Sequence, residues 1–226
     1  METKETIVFN KIRIPNFSVE DIADIFKSKI YSEEVGIGFT YIHAEDETIV
    51  TKVLVKTPSY VQTYNSQENI FEKNIIYIYD EIEMVLDLRH ELIYSTASSS
   101  KFNKAKSLLR NCFKSKVSFN NLEYSTIRLL ENIGSLGWHY YIVDLAIRRF
   151  VYKEGAVGRL SIHFDNSDIG KELLELYSES ITRMTVNVES KDFDNFTFSI
   201  TSQNSFTVRS KEQDLWPIIN QIKQTL

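Results

Sequence analysis

Apolar and polar positions alternate along much of the chain, and this alternation predicts a β-rich protein. Thr6 to Ile14 alternates in part and stops before a proline, which is typical of a strand. Ile37 to Ala44 and Thr48 to Lys56 are two further runs of β type, and the acidic turn between them predicts a hairpin. Thr57 to Asn69 contains a proline and several polar residues, so we expect it to be the longest irregular stretch.

Helical spacing of apolar residues appears in several segments between these runs. Ser18 to Asp21 forms an S-x-x-D motif, which is typical of a capping box at a helix start. Ile22, Ile25 and Phe26 follow at helical spacing, so the pattern predicts a helix of about three turns. We expect further helices over residues 101–114, 122–133 and 165–181, and a last one near the C-terminus.

Two segments share one order of elements, strand–turn–strand–helix. In the first, Ile82 to Leu88 alternates strictly, Leu92 and Tyr94 continue on a returning strand, and Ser98 to Ser100 can cap the helix that follows. In the second, the strands fall at residues 196–200 and 206–208 and the helix carries residues 216–222. The apolar positions superimpose at an offset of 114 residues with almost no identity. A duplicated β-β-α unit and two ordinary hairpin–helix units both explain this pattern.

Strands that run into hairpins, rather than alternating strictly with helices, favour the α+β class. We therefore expect mainly antiparallel sheets with helices on one face, and two related β-β-α-containing subdomains as one interpretation. Gly134 to Gly137 is the best internal boundary signal. It divides the chain into an N-terminal α+β subdomain, 1–133, and a C-terminal α+β subdomain, 138–226.

Composition narrows the class of protein. The 226 residues are 42% hydrophobic with a formal net charge of −5, so the chain can bury a sizeable core and is acidic on average. The single cysteine excludes an intramolecular disulfide and a cysteine-based zinc site. No apolar run approaches the length of a membrane span, and the N-terminus lacks the apolar segment of a signal peptide. We expect a cytoplasmic protein with no membrane contact.

The sequence contains only weak patterns for a catalytic nucleophile or a metal site. Cys112 lies on the apolar stripe of its predicted helix, which favours a core position over a reactive thiol. The four histidines have no partner at metal-ligand spacing, and no phosphate-binding glycine motif is present. We therefore predict no metal site and no cofactor.

Charge is unevenly distributed. The segment 101–116 contains six basic residues and no acidic residue, and the remaining 20 basic and 31 acidic side chains carry −11. Lys106, Arg110 and Lys114 follow each other at four-residue spacing, which places them on one side of a helix. Such a stripe can contact nucleic-acid phosphates or an acidic partner surface, and a solvated helix face is the alternative explanation.

An acidic arrangement suggests a second class of function. Glu189 and Lys191 form an E-x-K motif at the end of a predicted strand, and Asp165 closes the preceding strand. This pattern resembles restriction-type nucleases, in which an aspartate and an E-x-K on neighbouring strands hold a divalent metal and activate water. The resemblance covers three residues, and a helix intervenes between the two predicted strands.

Taken together, these patterns favour a non-catalytic recognition or adaptor protein of a larger cytoplasmic assembly. A protein partner or a homo-oligomer is expected, and nucleic acid is a candidate partner for Lys106, Arg110 and Lys114. The alternative is a metal-dependent nuclease using Asp165, Glu189 and Lys191, with a divalent metal as its cofactor.

Overall fold

The computed structural model describes residues 1–122 and 126–225, and within them the chain forms eleven strands and five helices. The strands are β1 Glu2–Arg13, β2 Ile37–Glu45, β3 Thr48–Asn65, β4 Ile70–Asp87, β5 Leu92–Ser95, β6 Ser118–Asn120, β7 His139–Lys153, β8 Ala156–His163, β9 Ile181–Glu189, β10 Phe196–Thr201 and β11 Ser205–Lys211. The helices are α1 Val19–Lys27, α2 Ser99–Cys112, α3 Thr126–Ser135, α4 Ser167–Leu176 and α5 Glu212–Lys223. The strands pair antiparallel, and the predicted α+β class is confirmed.

The chain divides into two compact units. Unit 1 consists of Met1–Asn10 and Asn121–Leu226, and unit 2 consists of Lys11–Asn120. The division differs from the predicted one because the first strand pairs with the last strand of the chain, an association that no local pattern reveals. The glycine-rich segment at residues 134–137 lies within unit 1, between α3 and β7.

Unit 1 is built on a sheet with strand order β1-β11-β10-β9-β7-β8. The Glu2–Val8 part of β1 pairs with β11, so residues 2 and 211 are direct partners. One side of the sheet is apolar and buried, as the alternation predicts: Phe196, Phe198 and Ile200 of β10 are each at most 3% exposed. Helices α3, α4 and α5 contribute buried leucines and isoleucines to the same core.

Unit 2 contains the strands β2, β3, β4 and β5 in that order. The Lys11–Arg13 end of β1 pairs with β6 in the same unit. Its core packs α1 and α2 against one side of the sheet, where Phe26 stacks on Phe39 with ring centroids 4.3 Å apart. The predicted start of α1 is confirmed: Ser18 and Asp21 exchange hydrogen bonds of 2.9 and 3.1 Å as a capping box.

The prediction of an irregular stretch from Thr57 to Asn69 is wrong. Strands β3 and β4 pair without interruption from Thr48↔Asp87 to Asn65↔Ile70 and form one long hairpin. Strand β2 accompanies β3 as far as Val55, and beyond that residue β3 pairs with β4 alone. Pro58 is therefore tolerated, because no strand on that side needs its missing N–H group.

Candidate interaction surfaces

The predicted basic stripe lies on α2 and just beyond its end. Lys106 is half-buried, with its Nζ atom 4.8 Å from the centre of the Phe102 ring and 5.9 Å from that of Phe119. The guanidinium carbon of Arg110 lies 5.0 Å from the same Phe119 ring. Burial lowers the pKa of Lys106, and the neighbouring Arg110 charge lowers it further. These two cations therefore share one aromatic ring as a packing partner.

Lys114 does not continue the stripe. Helix α2 ends at Cys112, and the backbone of Lys114 has a φ of +48°, which is outside the helical range. The four-residue spacing thus places Lys106 and Arg110 together on the helix, whereas Lys114 is an exposed residue of the following turn. Among the three predicted contact residues, Arg110 and Lys114 are exposed to solvent.

Two other cations of the basic segment form ion pairs within unit 2. Lys101 and Lys104 lie 2.8 and 3.1 Å from the two carboxylate oxygens of Asp80 on β4. Lys104 also donates a hydrogen bond to Thr57 of β3. Hydrogen bonds from Lys101 and Lys104 lower the pKa of Asp80. The excess positive charge of the segment is therefore partly compensated by a residue that lies 21 positions before Lys101.

The predicted nuclease residues lie on strands that are not neighbours. Asp165 follows the end of β8, and Glu189 is the last residue of β9. Strand β7 pairs with both, so it separates β8 from β9 by two strand spacings, about 10 Å. Glu189 lies opposite His139, whereas β8 ends at His163 opposite Asp144, five residues further along β7. This contradicts the neighbouring-strand placement that the nuclease interpretation requires.

The other reactive candidates have local explanations. Cys112 is half-buried on α2, and burial raises the pKa of its thiol. His90 and His163 each lie 2.9 Å from a single carboxylate, Asp87 and Asp144 respectively. Over residues 1–122 and 126–225, no three histidine, cysteine, aspartate or glutamate side chains are grouped to hold a metal ion.

The β3–β4 hairpin extends past the helices of its unit as a two-stranded arm. We define the arm as residues 57–78, paired from Thr57↔Ile78 to Asn65↔Ile70 over about 30 Å. In the proximal half of the hairpin, Val53, Ile82 and Met84 are fully buried. In the arm, the apolar side chains are instead exposed: Tyr60, Val61, Tyr64, Ile70, Phe71, Ile75, Ile76, Tyr77 and Ile78. The alternation of apolar and polar positions in β3 and β4 therefore continues into the arm, where no helix covers the strands.

The arm has two different faces, because opposite residues of an antiparallel pair point to the same side. Its aromatic face is formed by Tyr60, Tyr64, Phe71, Ile75 and Tyr77, in the pairs Tyr60↔Ile75 and Tyr64↔Phe71 with Tyr77 beside Pro58. Phe71 is 70% exposed, the largest exposure among these five side chains.

Cations and ring contacts order the aromatic face. The rings of Tyr64 and Phe71 lie 5.2 Å apart. Lys56 lies 4.3 Å from the Tyr77 ring centre, and Lys73 lies 4.1 Å from that of Tyr60. The four rings keep these contacts while 53 to 70% of each residue is exposed to solvent.

The opposite face of the arm is interrupted by polar pairs. The Asn74 amide donates a hydrogen bond to Thr63, and the Asn65 amide donates one to Glu72, both at 2.7 Å. In the sequence, Tyr60, Tyr64, Phe71 and Tyr77 lie among polar residues, and no local pattern shows that they share one exposed face.

Comparisons with known proteins identify no relative of this chain. The chain matches no protein-family model and no curated protein sequence. Within the described residues, the helices are too short or too polar to cross a lipid bilayer.

Proposed function

We propose that this chain is a non-catalytic recognition protein, an adaptor of a larger cytoplasmic assembly, that docks a partner protein through the aromatic face of its arm. The observation that carries the proposal is the exposure of five side chains on one face, each between 53 and 70% exposed: Tyr60, Tyr64, Phe71, Ile75 and Tyr77. An apolar patch of this kind on a folded protein is typical of an interaction site.

The chemistry of the arm favours a protein partner over nucleic acid. Residues 57–78 include three charged side chains, Glu68, Glu72 and Lys73, whereas a quarter of the whole chain is charged. Tyrosine and phenylalanine are enriched and charged residues depleted at the centres of protein interfaces. A surface that contacts phosphates would instead need an excess of positive charge, and the arm carries a net charge of −1.

The arm also has the geometry of a docking element. A two-stranded ribbon without a covering layer is marginally stable in water, so binding would stabilise it as well as bury it. Strand β4 pairs with β5 at residues 85–87, and the partner of its arm segment is β3. A strand of the partner could therefore add along the arm edge, with main-chain hydrogen bonds giving affinity and the rings giving specificity.

The predicted nucleic-acid contact through Lys106, Arg110 and Lys114 stays a prediction. Arg110 and Lys114 are available to a phosphate, whereas Lys106 is half-buried between Phe102 and Phe119. No observation favours the nuclease alternative, and we do not propose it. A common origin of the two β-β-α segments, β4-β5-α2 and β10-β11-α5, is likewise a proposal that rests on their matching order.

The arm can be tested with substitutions that keep β propensity. The variant Phe71→Thr/Ile75→Thr/Tyr77→Thr removes three apolar side chains from the aromatic face and leaves the buried core unchanged. Partner proteins are recovered from the source cells with the wild-type chain, purified and titrated by calorimetry. We expect the variant to bind at least about a hundredfold more weakly, since each truncated anchor costs about 1–2 kcal/mol.

Ile76→Thr/Ile78→Thr is the matched control, because these residues lie on the same strand and face the other way. It should bind the purified partner within about threefold of the wild type. Light scattering shows whether the partner is a second copy, in which case the wild type is a dimer and the aromatic-face variant a monomer. Equal affinity of the wild type and the aromatic-face variant, with no change in oligomeric state, would refute the proposal.

A further inference from the structure

The sheet of unit 1 has one polar side, which the functional proposal above does not use. Between the buried residues of β10, the side chains of Thr197, Ser199 and Thr201 point to the other side of the sheet. The register continues this polar side through neighbouring strands, where Thr6 contacts Thr207 and Thr185 contacts Ser199, each at 2.9 Å between hydroxyl oxygens. We call this side the hydroxyl face of unit 1.

Five cations lie on or beside the hydroxyl face, all of them exposed: Lys4, Arg148, Arg159, Arg183 and Arg209. One depression of about 360 Å³ is lined by Lys4, Arg183 and Arg209 together with five threonine and serine residues and Asp144. A second, of about 590 Å³, is lined by Arg148, Arg159 and Arg183 and by no carboxylate. The two depressions adjoin, because Arg183 and Thr201 line both.

Four of the five cations lie opposite another cation in the strand register. Lys4 lies directly opposite Arg209 in the β1–β11 pair, and Arg148 lies directly opposite Arg159 in the β7–β8 pair. Like charges in directly opposite positions destabilise a sheet. Within residues 1–122 and 126–225, none of the five forms an ion pair, and Asp144 is held by His163 at 2.9 Å. A bound polyanion would relieve both repulsive pairs.

We propose that the hydroxyl face of unit 1 binds the phosphate backbone of a nucleic-acid strand. Arginine recognises phosphate through paired N–H donors, and serine and threonine hydroxyls commonly donate to phosphate oxygens in nucleic-acid complexes. The cations extend from β1 to β8, five strand spacings or about 24 Å, which exceeds one nucleotide and suits a repeating polyanion.

The composition of the hydroxyl face predicts how strongly binding depends on the base sequence of the nucleic acid. Cations and hydroxyls contact phosphates, whereas base recognition needs stacking platforms or groups aimed at base edges. The register places Tyr141 on this face, opposite Asn187. The face therefore offers little aromatic surface for base stacking compared with its five cations. Binding is therefore salt-dependent and nearly independent of base sequence. It does not depend on the protein partner of the arm, and it uses a surface different from the predicted stripe on α2.

Fluorescence anisotropy tests the inference with the full chain and a labelled single-stranded DNA of about 20 nucleotides in low salt. We expect Arg183→Glu/Arg209→Glu to weaken binding at least about tenfold and to reduce the slope of log affinity against log salt. The matched control, Lys29→Glu/Arg89→Glu, reverses two exposed cations of unit 2 outside α2 and should bind like the wild type. The variant Lys106→Glu/Arg110→Glu tests the predicted α2 contact separately. Thermal unfolding provides a second readout, because Arg209→Glu places an opposite charge beside Lys4 and the melting temperature should not fall.

Three results would overturn the inference. The first is that the wild type binds no DNA at low salt. The second is that the Arg183→Glu/Arg209→Glu variant binds as well as the wild type. In the third, the α2 variant Lys106→Glu/Arg110→Glu loses binding while the hydroxyl-face variant keeps it, which would assign the contact to α2. Competition with poly-glutamate distinguishes a nucleic-acid ligand from an acidic protein. If poly-glutamate displaces the DNA at equal charge concentration, the hydroxyl face binds an acidic protein and the nucleic-acid inference is wrong.

Discussion

The ammonium nitrogen of Lys104 lies 3.1 Å from a carboxylate oxygen of Asp80, and this ion pair joins the basic helix α2 to the base of the arm. Lys101 binds the other oxygen of the same carboxylate. The contact is one reason why the arm begins where it does, since Asp80 and its neighbour Thr57 are the last residues of the hairpin that α2 contacts through hydrogen bonds. Beyond them the apolar positions of β3 and β4 are exposed.

Replacing Asp80→Asn should lower the free energy of unfolding at pH 7 by roughly 1 kcal/mol or less, because both lysines are partly exposed and solvent screens the pairs. The two lysines lower the pKa of the folded-state carboxyl, so its contribution is complete above the ordinary aspartate pKa of about 3.9 and is lost as the pH falls below it. Urea denaturation of both proteins at pH 7 and at about pH 3 measures the difference, which should shrink at the lower pH.

Glu81→Gln is the control for this prediction. Glu81 pairs with Lys52 at 3.0 Å on the exposed side of the same strand, so its removal should cost a few tenths of a kcal/mol, about the usual value of a surface pair. A pH-independent effect of Asp80→Asn would contradict the assigned ion pairs.

Gly38→Ala should destabilise unit 2 by about 1–3 kcal/mol. A Cβ atom at Gly38 would lie 2.5 Å from the backbone nitrogen and Cα of Tyr31, so the main chain itself must move. Gly158 in β8 offers the matched case, because a Cβ there meets no atom within 4 Å. Thermal denaturation of both alanine variants should show a loss at Gly38 and a change within about 0.5 kcal/mol at Gly158.

Ser18→Ala should cost about 1 kcal/mol, because it removes the side-chain half of the α1 capping box. Ser98→Ala at the start of α2 should cost less than about 0.5 kcal/mol, since the Ser98 side chain makes no capping hydrogen bond. Both serines are exposed. Chemical denaturation compares them directly, and equal losses would argue against the capping geometry of α1.

Local patterns predicted α1 well and the arm poorly, and the reason is physical. The α1 capping box is complete within four residues, Ser18 to Asp21, so the sequence contains both partners of its hydrogen bonds. The alternation of the arm looks like that of any strand with a buried side. Whether Ile76 or Ile78, on the side of the hairpin that α2 contacts, is buried depends on the reach of α2, a helix about twenty residues further along the chain.

The candidate surfaces show the same limit. The basic residues of the α2 segment are evident in the sequence, but the carboxylate that pairs with Lys101 and Lys104 is not, and neither is the turn that removes Lys114 from the stripe. Lys4 and Arg209 are 205 positions apart and become neighbours only through the β1–β11 register. Long-range strand pairing, rather than any motif, places the cations of the hydroxyl face together.

The pairing of residues 2–8 with residues 205–211 also bears on how the chain folds during synthesis. Unit 2 is complete when residue 120 has emerged from the ribosome, whereas residues 2–8 of unit 1 must wait for residues 205–211. Domains fold as units on the nascent chain, and contacts between distant residues form slowly. The inserted unit therefore has time to fold first, and residues 2–8 stay without their β11 partner until residues 205–211 have been synthesised.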